Sequence, residues 1–369
     1  MKIFNKSAWK KVKLGDIFNL QMGKTPLREN KLYWDKGEHN WVSISDMNFS
    51  EKYLFSTKEK ITDIAVKESG IKLIPKSTVI MSFKLSIGKV KIVKEDIYSN
   101  EAIMAFIPKE NFFIDKNFLY YCLKSLKWNE GINKAVKGLT LNKNLISQKE
   151  IFLPDLAIQK EIANNLDGID NLLELRKKQL IYLKELSKSL FTRMFGDIKT
   201  NDKNWETNYW KDVLNIKNGK NQKEVEDING KYPIYGSGGI IGYSNAYICN
   251  ENTIIIGRKG NINKPILVKE KFWNVDTAFG LEIKRDKISY YYLYYFCLFY
   301  NFEIHNKAVT IPSLIKSDLE KISLPVPPIE LQNKFAERVE KIEKLSFEIE
   351  KSIKEAENLY NSLMSKYFD

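Results

Sequence analysis

The strongest constraint on the fold is an amphipathic helix that the sequence contains twice. LPDLAIQKEIANNLDGIDNLL starts at Leu153 and VPPIELQNKFAERVEKIEKLS starts at Val326, an offset of 173 residues. The same offset aligns Gln159 with Gln332 without any gap between them. Self-similarity at a fixed spacing indicates a duplicated structural unit. The sequence therefore predicts two copies of one domain, each followed by one helix.

Shorter matches extend the repeat upstream of both helices. The Gly-Lys pair at 23–24 aligns with the Gly-Lys pair at 219–220 at an offset of 196. Residues within 87–102 align with residues within 262–277 at an offset of 175. Lys-Ala-Val at 134–136 aligns with Lys-Ala-Val at 307–309 at an offset of 173. The fall in offset means that copy two has about twenty residues fewer in its middle.

Both helices carry an apolar stripe with the spacing of a coiled coil. Alternate steps of four and three residues from Ile162 meet eight apolar side chains in ten positions, and the same register continues from Phe335. This spacing is typical of a coiled-coil seam. The predicted seam residues are Ile162, Leu166, Ile169, Leu173, Leu180, Leu183, Leu190, Val339, Ile342, Ile349, Ile353 and Leu363. Each helix could instead pack on the core of its own domain, but two stripes in one register favour antiparallel pairing with each other.

The domains that precede the helices have the pattern of mixed α and β structure. The segment from Tyr232 alternates β-branched and aromatic runs with Gly and Asn turns, as short strands do. We predict an α+β protein in which two mixed α/β domains, related by internal repeat, are separated by two long helices. The helices are expected to form an antiparallel coiled coil with a pseudo-two-fold arrangement. The predicted bounds are 1–150 and 201–322 for the domains, and 151–200 and 323–369 for the helices.

Charge distinguishes the domains from the helices. The chain has 59 Lys plus Arg against 46 Asp plus Glu, which gives a net charge of +13. Residues 156–196 and 329–369 together carry no net charge, so the whole excess belongs to the two domains. Two cationic domains joined by a neutral spacer suit a polyanion that is contacted at two places.

Turn residues with a cation beside them are candidate phosphate or base contacts, because they present backbone N–H groups and a positive charge together. Each could equally be an ordinary solvated turn. The predicted DNA-binding residues are Gly23, Lys24, Lys84, Gly88, Lys89, Gly219, Lys220, Ser237, Arg258, Lys259 and Lys264.

No catalytic or metal centre is predicted. Asp276 and Glu282 imitate the paired carboxylates of a metal-dependent nuclease, but Glu282 aligns with Ile107 in copy one. The GSGG at 236–239 lacks the Lys-Ser/Thr of a nucleotide-binding loop, and the chain has only two histidines. We therefore expect a chain that is not itself an enzyme and holds no metal.

Membrane spans and disulfides are not expected either. No apolar run of the required length (about 18 residues) occurs, and the N-terminus lacks the apolar stretch of a signal peptide. Cys122, Cys249 and Cys297 lie far apart and match no disulfide or zinc pattern. We predict a cytoplasmic protein with three reduced, buried cysteines.

Three motifs resemble the specificity subunit of Type I restriction-modification enzymes. They are YPIYGSGGIIGY from Tyr232, IIIGRKGNINKPILVKEKFWNVDTAF from Ile254, and the repeated helix opening LPDLAIQKEIA and VPPIELQNKFA. The resemblance covers essentially the full chain. It implies two target recognition domains that each read half of a split DNA site and are held apart by antiparallel helices. Copy one has SFKLSIGKV where copy two has IGRKGNINK, a divergence expected if the two halves read different bases.

The resemblance also implies partners and cofactors. Modification subunits, expected to number two, would methylate adenine with S-adenosylmethionine, and a restriction (translocase) subunit would use ATP and Mg²⁺. The chain itself would bind double-stranded DNA, no cofactor and no membrane.

Two other functions fit part of the sequence. The chain could be the recognition part of a single-chain restriction-methylation enzyme, or a coiled-coil scaffold without DNA specificity. A steep loss of affinity with salt would distinguish a DNA reader from a scaffold. Because a helix of about 40 residues is roughly 60 Å long, helix length is expected to limit the gap between half-sites.

Overall fold

The structure is a computed structural model that divides into two compact units. The first contains Met1–Leu175 and Ile353–Asp369, and the second contains Arg176–Ser352. Each unit thus holds one copy of the repeated domain and about half of each long helix. The described residues are 6–84, 86–128, 141–284, 287–306, 308 and 310–369.

Two sequence-based assignments are not tested by the structure. The predicted domain bounds at 150, 200 and 322 stay predictions, since the division into units cuts through both helices. Of the aligned Lys-Ala-Val triplets, residues 134–136, 307 and 309 lie outside the described residues.

The helices include two that are much longer than the rest. In chain order, α1 to α9 are Leu14–Ile17, Asp63–Ser69, Lys116–Ser125, Lys143–Gln148, Leu156–Phe195, Trp210–Val213, Tyr290–Phe299, Lys316–Leu319 and Ile329–Phe368. The two long helices, α5 and α9, have 40 residues each.

The strands are short and fall into two sets. In the first unit, β1 to β10 are Lys10–Lys13, Phe18–Met22, His39–Val42, Tyr53–Leu54, Glu59–Ile61, Val79–Ser82, Val90–Val93, Tyr98–Ser99, Ile103–Pro108 and Glu150–Leu153. In the second unit, β11 to β19 are Thr207–Tyr209, Leu214–Asn218, Tyr232–Gly236, Gly239–Ser244, Thr253–Gly257, Ile266–Val268, Trp273–Asn274, Ala278–Ile283 and Ser323–Pro325. We call residues 6–153 head 1 and residues 205–325 head 2.

The two heads have the same sheet topology. Head 1 contains a sheet of order β2-β9-β6-β7-β4 and a smaller sheet of order β5-β3-β8. Head 2 contains β12-β18-β15-β16 and β14-β13-β17. Apart from β4, the strands correspond in order: β2, β9, β6 and β7 match β12, β18, β15 and β16, and β5, β3 and β8 match β14, β13 and β17. The internal duplication and the mixed α/β character predicted from the sequence are therefore confirmed.

The central strands owe their position to unbroken apolar runs. All four residues of β6 are buried, and so are all five of β15, which reads TIIIG. A strand buried on both faces is expected to be continuously apolar rather than alternating. In each head, an aromatic helix (α3 or α7) lies in the core beside the larger sheet.

The long helices pair in opposite directions within each unit. In the first unit, the start of α5 meets the end of α9, where the Asn165 amide donates to the Tyr367 hydroxyl at 3.1 Å. In the second unit, the end of α5 meets the start of α9, with the rings of Phe195 and Phe335 5.2 Å apart. The predicted antiparallel pairing is confirmed.

The predicted seam residues follow the shielded stripe of both helices. Ile162, Leu166, Ile169, Val339 and Leu363 are buried. Leu173, Leu180, Leu183, Leu190, Ile342, Ile349 and Ile353 are half-buried. The alternative of helices packed on their own domains also holds in part, because Ile162 and Leu166 lie in the same core as Phe118 of head 1. The helix ends thus pack on a head and on each other at once.

A buried glutamine near the start of each long helix joins that helix to its head. Gln159 accepts from the Asp115 backbone N–H and donates to the Pro154 carbonyl, both at 2.8 Å. Gln332 accepts from the Ser289 N–H at 2.8 Å, and its amide donates to two backbone carbonyls. Both side chains are at most 2% exposed. The repeated Pro and Gln of the sequence therefore form the same connection between head and long helix in both units, which we call the glutamine joint.

Two further predictions concern the helices and the cysteines. Within the described residues, no helix combines the length and the apolar character needed to cross a bilayer. All three cysteines are buried and free, as predicted, and burial raises the pKa of the Cys122 thiol to about 12.

The glutamine joint leads to a stability prediction. In Gln332→Leu, the Pro327 carbonyl loses its partner in a buried site, and the Ser289 N–H and the Lys287 carbonyl lose theirs in partly buried ones. An unsatisfied buried group costs about 1–3 kcal/mol, so we expect opening of the second unit to become easier by at least about 2 kcal/mol. Hydrogen–deuterium exchange of α7 and the start of α9 measures this change.

The first unit and the exposed neighbour Asn333 supply the controls. Exchange in the first unit should be unchanged in Gln332→Leu, and Asn333→Ala should leave both units at the wild-type rate. Equal protection of α7 in Gln332→Leu and wild type would contradict the assigned role.

Candidate nucleic-acid interface

The topology of head 1 brings its predicted contact residues to one edge of the larger sheet. Met22 at the end of β2 pairs with Met104, and Ser82 at the end of β6 pairs with Ile103. The end of β2, the β6–β7 loop and the turn before β9 therefore meet. We call these residues edge 1: 22–25, 83–84, 86–89 and 99–102. Edge 1 contains Gly23, Lys24, Lys84, Gly88 and Lys89.

Head 2 brings its predicted residues to the equivalent place. Asn218 at the end of β12 pairs with Phe279, and Gly257 at the end of β15 pairs with Ala278. The β13–β14 turn joins them, because the Val275 N–H donates to the Tyr235 carbonyl at 3.0 Å. We call these residues edge 2: 218–220, 236–239, 257–265 and 274–278. Edge 2 contains Gly219, Lys220, Ser237, Arg258, Lys259 and Lys264.

The Gly-Lys pairs occupy the same tight approach in both heads. A Cβ on Gly23 would lie 2.0 Å from the Ser99 carbonyl oxygen, and one on Gly219 would lie 1.8 Å from that of Val275. Only glycine fits where two backbones come this close. The carbonyl of the lysine that follows accepts an indole N–H in each head, from Trp41 or Trp273. The close approach of the backbone therefore explains why glycine stands at positions 23 and 219, whether or not these residues also contact DNA.

The cations of edge 1 are partly engaged by the protein itself. The Lys24 ammonium donates to the Ser69 carbonyl at 2.6 Å, and the Lys89 ammonium donates to the Asn48 side chain. The Thr25 hydroxyl donates to Glu101 at 2.5 Å. This hydrogen bond, together with the charges of Lys84 and Arg28, lowers the pKa of the Glu101 carboxyl. Edge 1 therefore presents cations around one carboxylate.

Edge 2 presents its cations more openly. The backbone N–H groups of Arg258 and Lys259 both donate to the Thr277 carbonyl, which fixes the start of the loop. Gly260 follows with a φ of +79°, a conformation that favours glycine. In the part of the chain that the structure describes, the ammonium groups of Lys259 and Lys264 are exposed and make no hydrogen bond or ion pair.

Asp276 and Glu282, the two carboxylates considered as a metal site in the sequence, have different surroundings in the structure. Glu282 accepts from the Asn250 N–H and forms an ion pair with Lys217, both at 2.8 Å. Asp276 lies in edge 2, where its carbonyl accepts from the Arg258 guanidinium at 3.4 Å. Among the described residues, no group of three His, Cys, Asp or Glu side chains is placed to hold a metal ion.

Some neighbours of the two edges were not predicted from the sequence. In head 1, the Arg28 guanidinium lies 4.0 Å from the centroid of the Trp34 ring and forms an ion pair with Glu59. Nothing in the local sequence indicates this cluster, because its members are far apart in the chain: Arg28 and Trp34 precede β3, whereas Glu59 begins β5. Glu101 of edge 1 and Asp276 of edge 2 do have a signal in the sequence, because an acidic residue stands at the same position of both copies at the offset of 175.

Both copies match one family model. The model for the Type I restriction modification DNA specificity domain matches residues 6–185 and again residues 202–357. Each match covers one head and a large part of the helix that follows it. The comparison therefore finds the same duplication as the sheet topology.

Similar proteins match over nearly the whole chain. The Type I restriction enzyme MjaIX specificity subunit of Methanocaldococcus jannaschii is 27% identical, over 97% of this chain and 92% of that protein. The Type I restriction enzyme EcoprrI specificity subunit of Escherichia coli is 24% identical, over 90% of this chain and 87% of that protein.

Solved structures share the fold. The S subunit of a Type-I restriction-modification system from M. genitalium matches with a TM-score of 0.64 at 19% identity, over 100% of this chain and 98% of that one. A chain from a study of complex assembly and conformational transition of the type I R-M system matches with a TM-score of 0.59 at 15% identity, over 99% and 98%. At these identities, the matches support the fold alone.

The tight glycine of edge 2 gives a direct test of the local geometry. Gly219→Ala places a Cβ 1.8 Å from the Val275 oxygen, whereas Gly236→Ala meets nothing nearer than 3.6 Å. Overpacking costs about 1–3 kcal/mol, so we expect Gly219→Ala to destabilise β12 and β17 by that amount. Hydrogen–deuterium exchange of both strands checks the result. Gly236→Ala is the matched control, and equal exchange in the two variants would contradict the described approach.

Proposed function

Since the chain belongs to the family of Type I restriction-modification DNA specificity proteins, we propose that edge 1 and edge 2 each read one half of a bipartite DNA site. The observation that carries the proposal is the equivalence of the two edges. Both heads place a Gly-Lys pair and the cationic loop of a hairpin at the same end of the same sheet. Two equivalent readers on one chain suit a target made of two halves.

The charge of the heads supports the proposal. The net charge of +13 resides outside residues 156–196 and 329–369, which together carry no net charge. Contacts to phosphate supply affinity and fix the register of a protein on DNA, while side chains that reach base edges supply sequence information. On edge 2, Lys259 and Lys264 suit phosphate contacts, and Arg258 and Ser237 have groups that can read base edges.

The chemistry of modification and cleavage belongs to partner subunits in this proposal. Two modification subunits would bind S-adenosylmethionine and methylate adenine, and a restriction subunit would use ATP and Mg²⁺. This chain would select the DNA site for both reactions in the cytoplasm and would itself be non-catalytic.

Exposed apolar side chains on the long helices suit the docking of such a partner. In the second unit, Tyr182, Leu186, Leu345 and Phe347 are 52–65% exposed. Tyr182 and Leu345 line one groove between α5 and α9. Large apolar side chains exposed together on a helix pair commonly mark a protein–protein contact.

Mapping of methylated bases tests the proposed function. The chain is co-expressed with its modification subunit in a host that lacks other adenine methylation, and methylated adenines are mapped over the genome. A motif of two fixed halves separated by an unread gap is the expected result. Adenine methylation by the active complex at a continuous motif, or without any motif, would overturn the proposal.

The exposed lysines of edge 2 give a prediction in binding energy. Each phosphate contact that is removed should reduce the slope of log K against log salt concentration by about 0.9. In Lys259→Ala/Lys264→Ala, we therefore expect weaker binding to all DNA sequences and a slope smaller by roughly 2. Fluorescence anisotropy of the complex with labelled duplex at several salt concentrations measures both quantities.

A charge-matched control uses exposed lysines of the long helices. Lys184→Ala/Lys344→Ala removes the same charge away from both edges, so its salt slope should equal that of the wild type. If the two double variants change the slope equally, the phosphate contacts assigned to edge 2 are wrong.

A further inference from the structure

The two copies differ in length at several places, and one of these lies between two paired strands of the smaller sheet. In head 2, β13 and β14 are joined by a turn of two residues, Ser237 and Gly238. In head 1, the equivalent strands β3 and β5 are separated by residues 43–58. We call residues 43–58 the inserted segment. Head 2 has no counterpart of it between the equivalent strands.

The inserted segment begins at edge 1. Val42, just before it, pairs with Ser99, and the Val42 carbonyl accepts from the Asn100 N–H at 3.0 Å. The Lys89 ammonium, from the hairpin loop of edge 1, donates to the amide oxygen of Asn48. The segment therefore lies beside the residues proposed to read DNA.

A buried carboxylate joins the two ends of the inserted segment. Asp46 is fully buried, and it accepts from the Ser43 N–H at 2.8 Å and from the Ser43 hydroxyl at 2.6 Å. Its other oxygen accepts from the Lys58 N–H at 3.0 Å. A buried carboxylate with three donors orients the backbone around it, as supporting residues do in other functional sites.

Two lysines hold the middle of the inserted segment. Lys91 of β7 is 2% exposed, and its ammonium donates to the carbonyls of Phe49 (2.6 Å) and Glu51. Burial lowers the pKa of Lys91. Lys52 forms an ion pair with Asp167 of α5, within the same unit. A loop with this many internal partners has a defined shape rather than a variable one.

The inserted segment contains one exposed side-chain amide, that of Asn48, in which only the oxygen has a hydrogen-bond partner. Asn48 is exposed, and its oxygen is occupied by Lys89. Among the described residues, the amide nitrogen of Asn48 has no partner. An asparagine amide can donate to the acceptors that bases present in the major groove. Lys89 thus fixes the amide so that its donor side is available.

We propose that the inserted segment is a second base-reading element of head 1, in which Asn48 donates to a base acceptor and Asp46 and Lys91 are positioning residues. The inference rests on the proposed function. Head 2 lacks the segment, so the half-site read by head 1 contains at least one specified base pair that depends on it.

The variant Asn48→Ala tests the reading role in the co-expressed complex. One good side-chain contact to a base discriminates by about 1–3 kcal/mol, or roughly 5- to 150-fold. We expect selectivity to fall about tenfold or more at one position of one half-site in the methylation map. The other half-site and the gap should be unchanged, so each map contains its own control. Asn144→Ala, an exposed asparagine of α4 in the same unit, is the matched variant and should leave the whole motif intact.

Variants of the positioning residues separate orientation from folding. Asp46→Ala should relax the same position as Asn48→Ala, and Asp46→Asn, which keeps part of the hydrogen bonding, should restore selectivity in part. A purely structural role would instead lower methylation at every site without any change in the motif. That pattern would overturn the positioning role.

The outcomes for the segment and for the proposed function are distinguishable. A bipartite motif that is the same in wild type and Asn48→Ala would overturn the reading role and leave the proposed function standing. An active wild-type complex without a bipartite motif would overturn the proposed function itself.

Discussion

The packing of each aromatic helix against the ends of both long helices is the contact on which the rest of the structure depends. In the second unit, the ring of Phe191 lies 5.6 Å from Tyr292 of α7 and 5.5 Å from Phe335 of α9. One core therefore contains the head, the end of α5 and the start of α9. Aromatic side chains bury large areas and lose few degrees of freedom, so such a core is strong for its size. The first unit repeats it with Ile162, Leu166, Leu363 and Tyr367 around α3.

This shared core explains the antiparallel direction of the helices. A chain made of two head-and-helix copies can complete both cores only if each helix begins in one core and ends in the other. The buried Gln159 and Gln332 fix the start of each helix to the preceding head. The same duplication gives the two heads equivalent edges, which then diverged in their loops. Edge 2 is openly cationic, whereas edge 1 has the inserted segment beside it, with Asp46 and Lys91 as buried supports.

The sequence predicted the duplication, the helix pair and the excess of positive charge in the two domains, because each of these can be read from residue order and composition. Ile162 and Val339 are recognisable as seam residues from spacing alone. The support of the inserted segment by Asp46 and Lys91 was not predictable in the same way. Their partners are backbone groups brought near by folding, and a backbone carbonyl has no signature in the sequence. For Gly23 and Gly219, the sequence indicated a turn beside a lysine but not the close backbone contacts. Those contacts depend on residues from elsewhere in each head.

The most direct measurement of the shared core is crosslinking of α5 to α9 in the second unit. The three native cysteines are buried, so cysteines introduced at exposed or half-buried positions react first. Met194 and Arg338 approach within 4.0 Å, and a short bifunctional thiol reagent should join Met194→Cys to Arg338→Cys within one chain. Met194→Cys paired with Glu350→Cys should not react, because the partner lies about 18 Å further along α9. Efficient crosslinking of the second pair, or none of the first, would contradict the antiparallel arrangement.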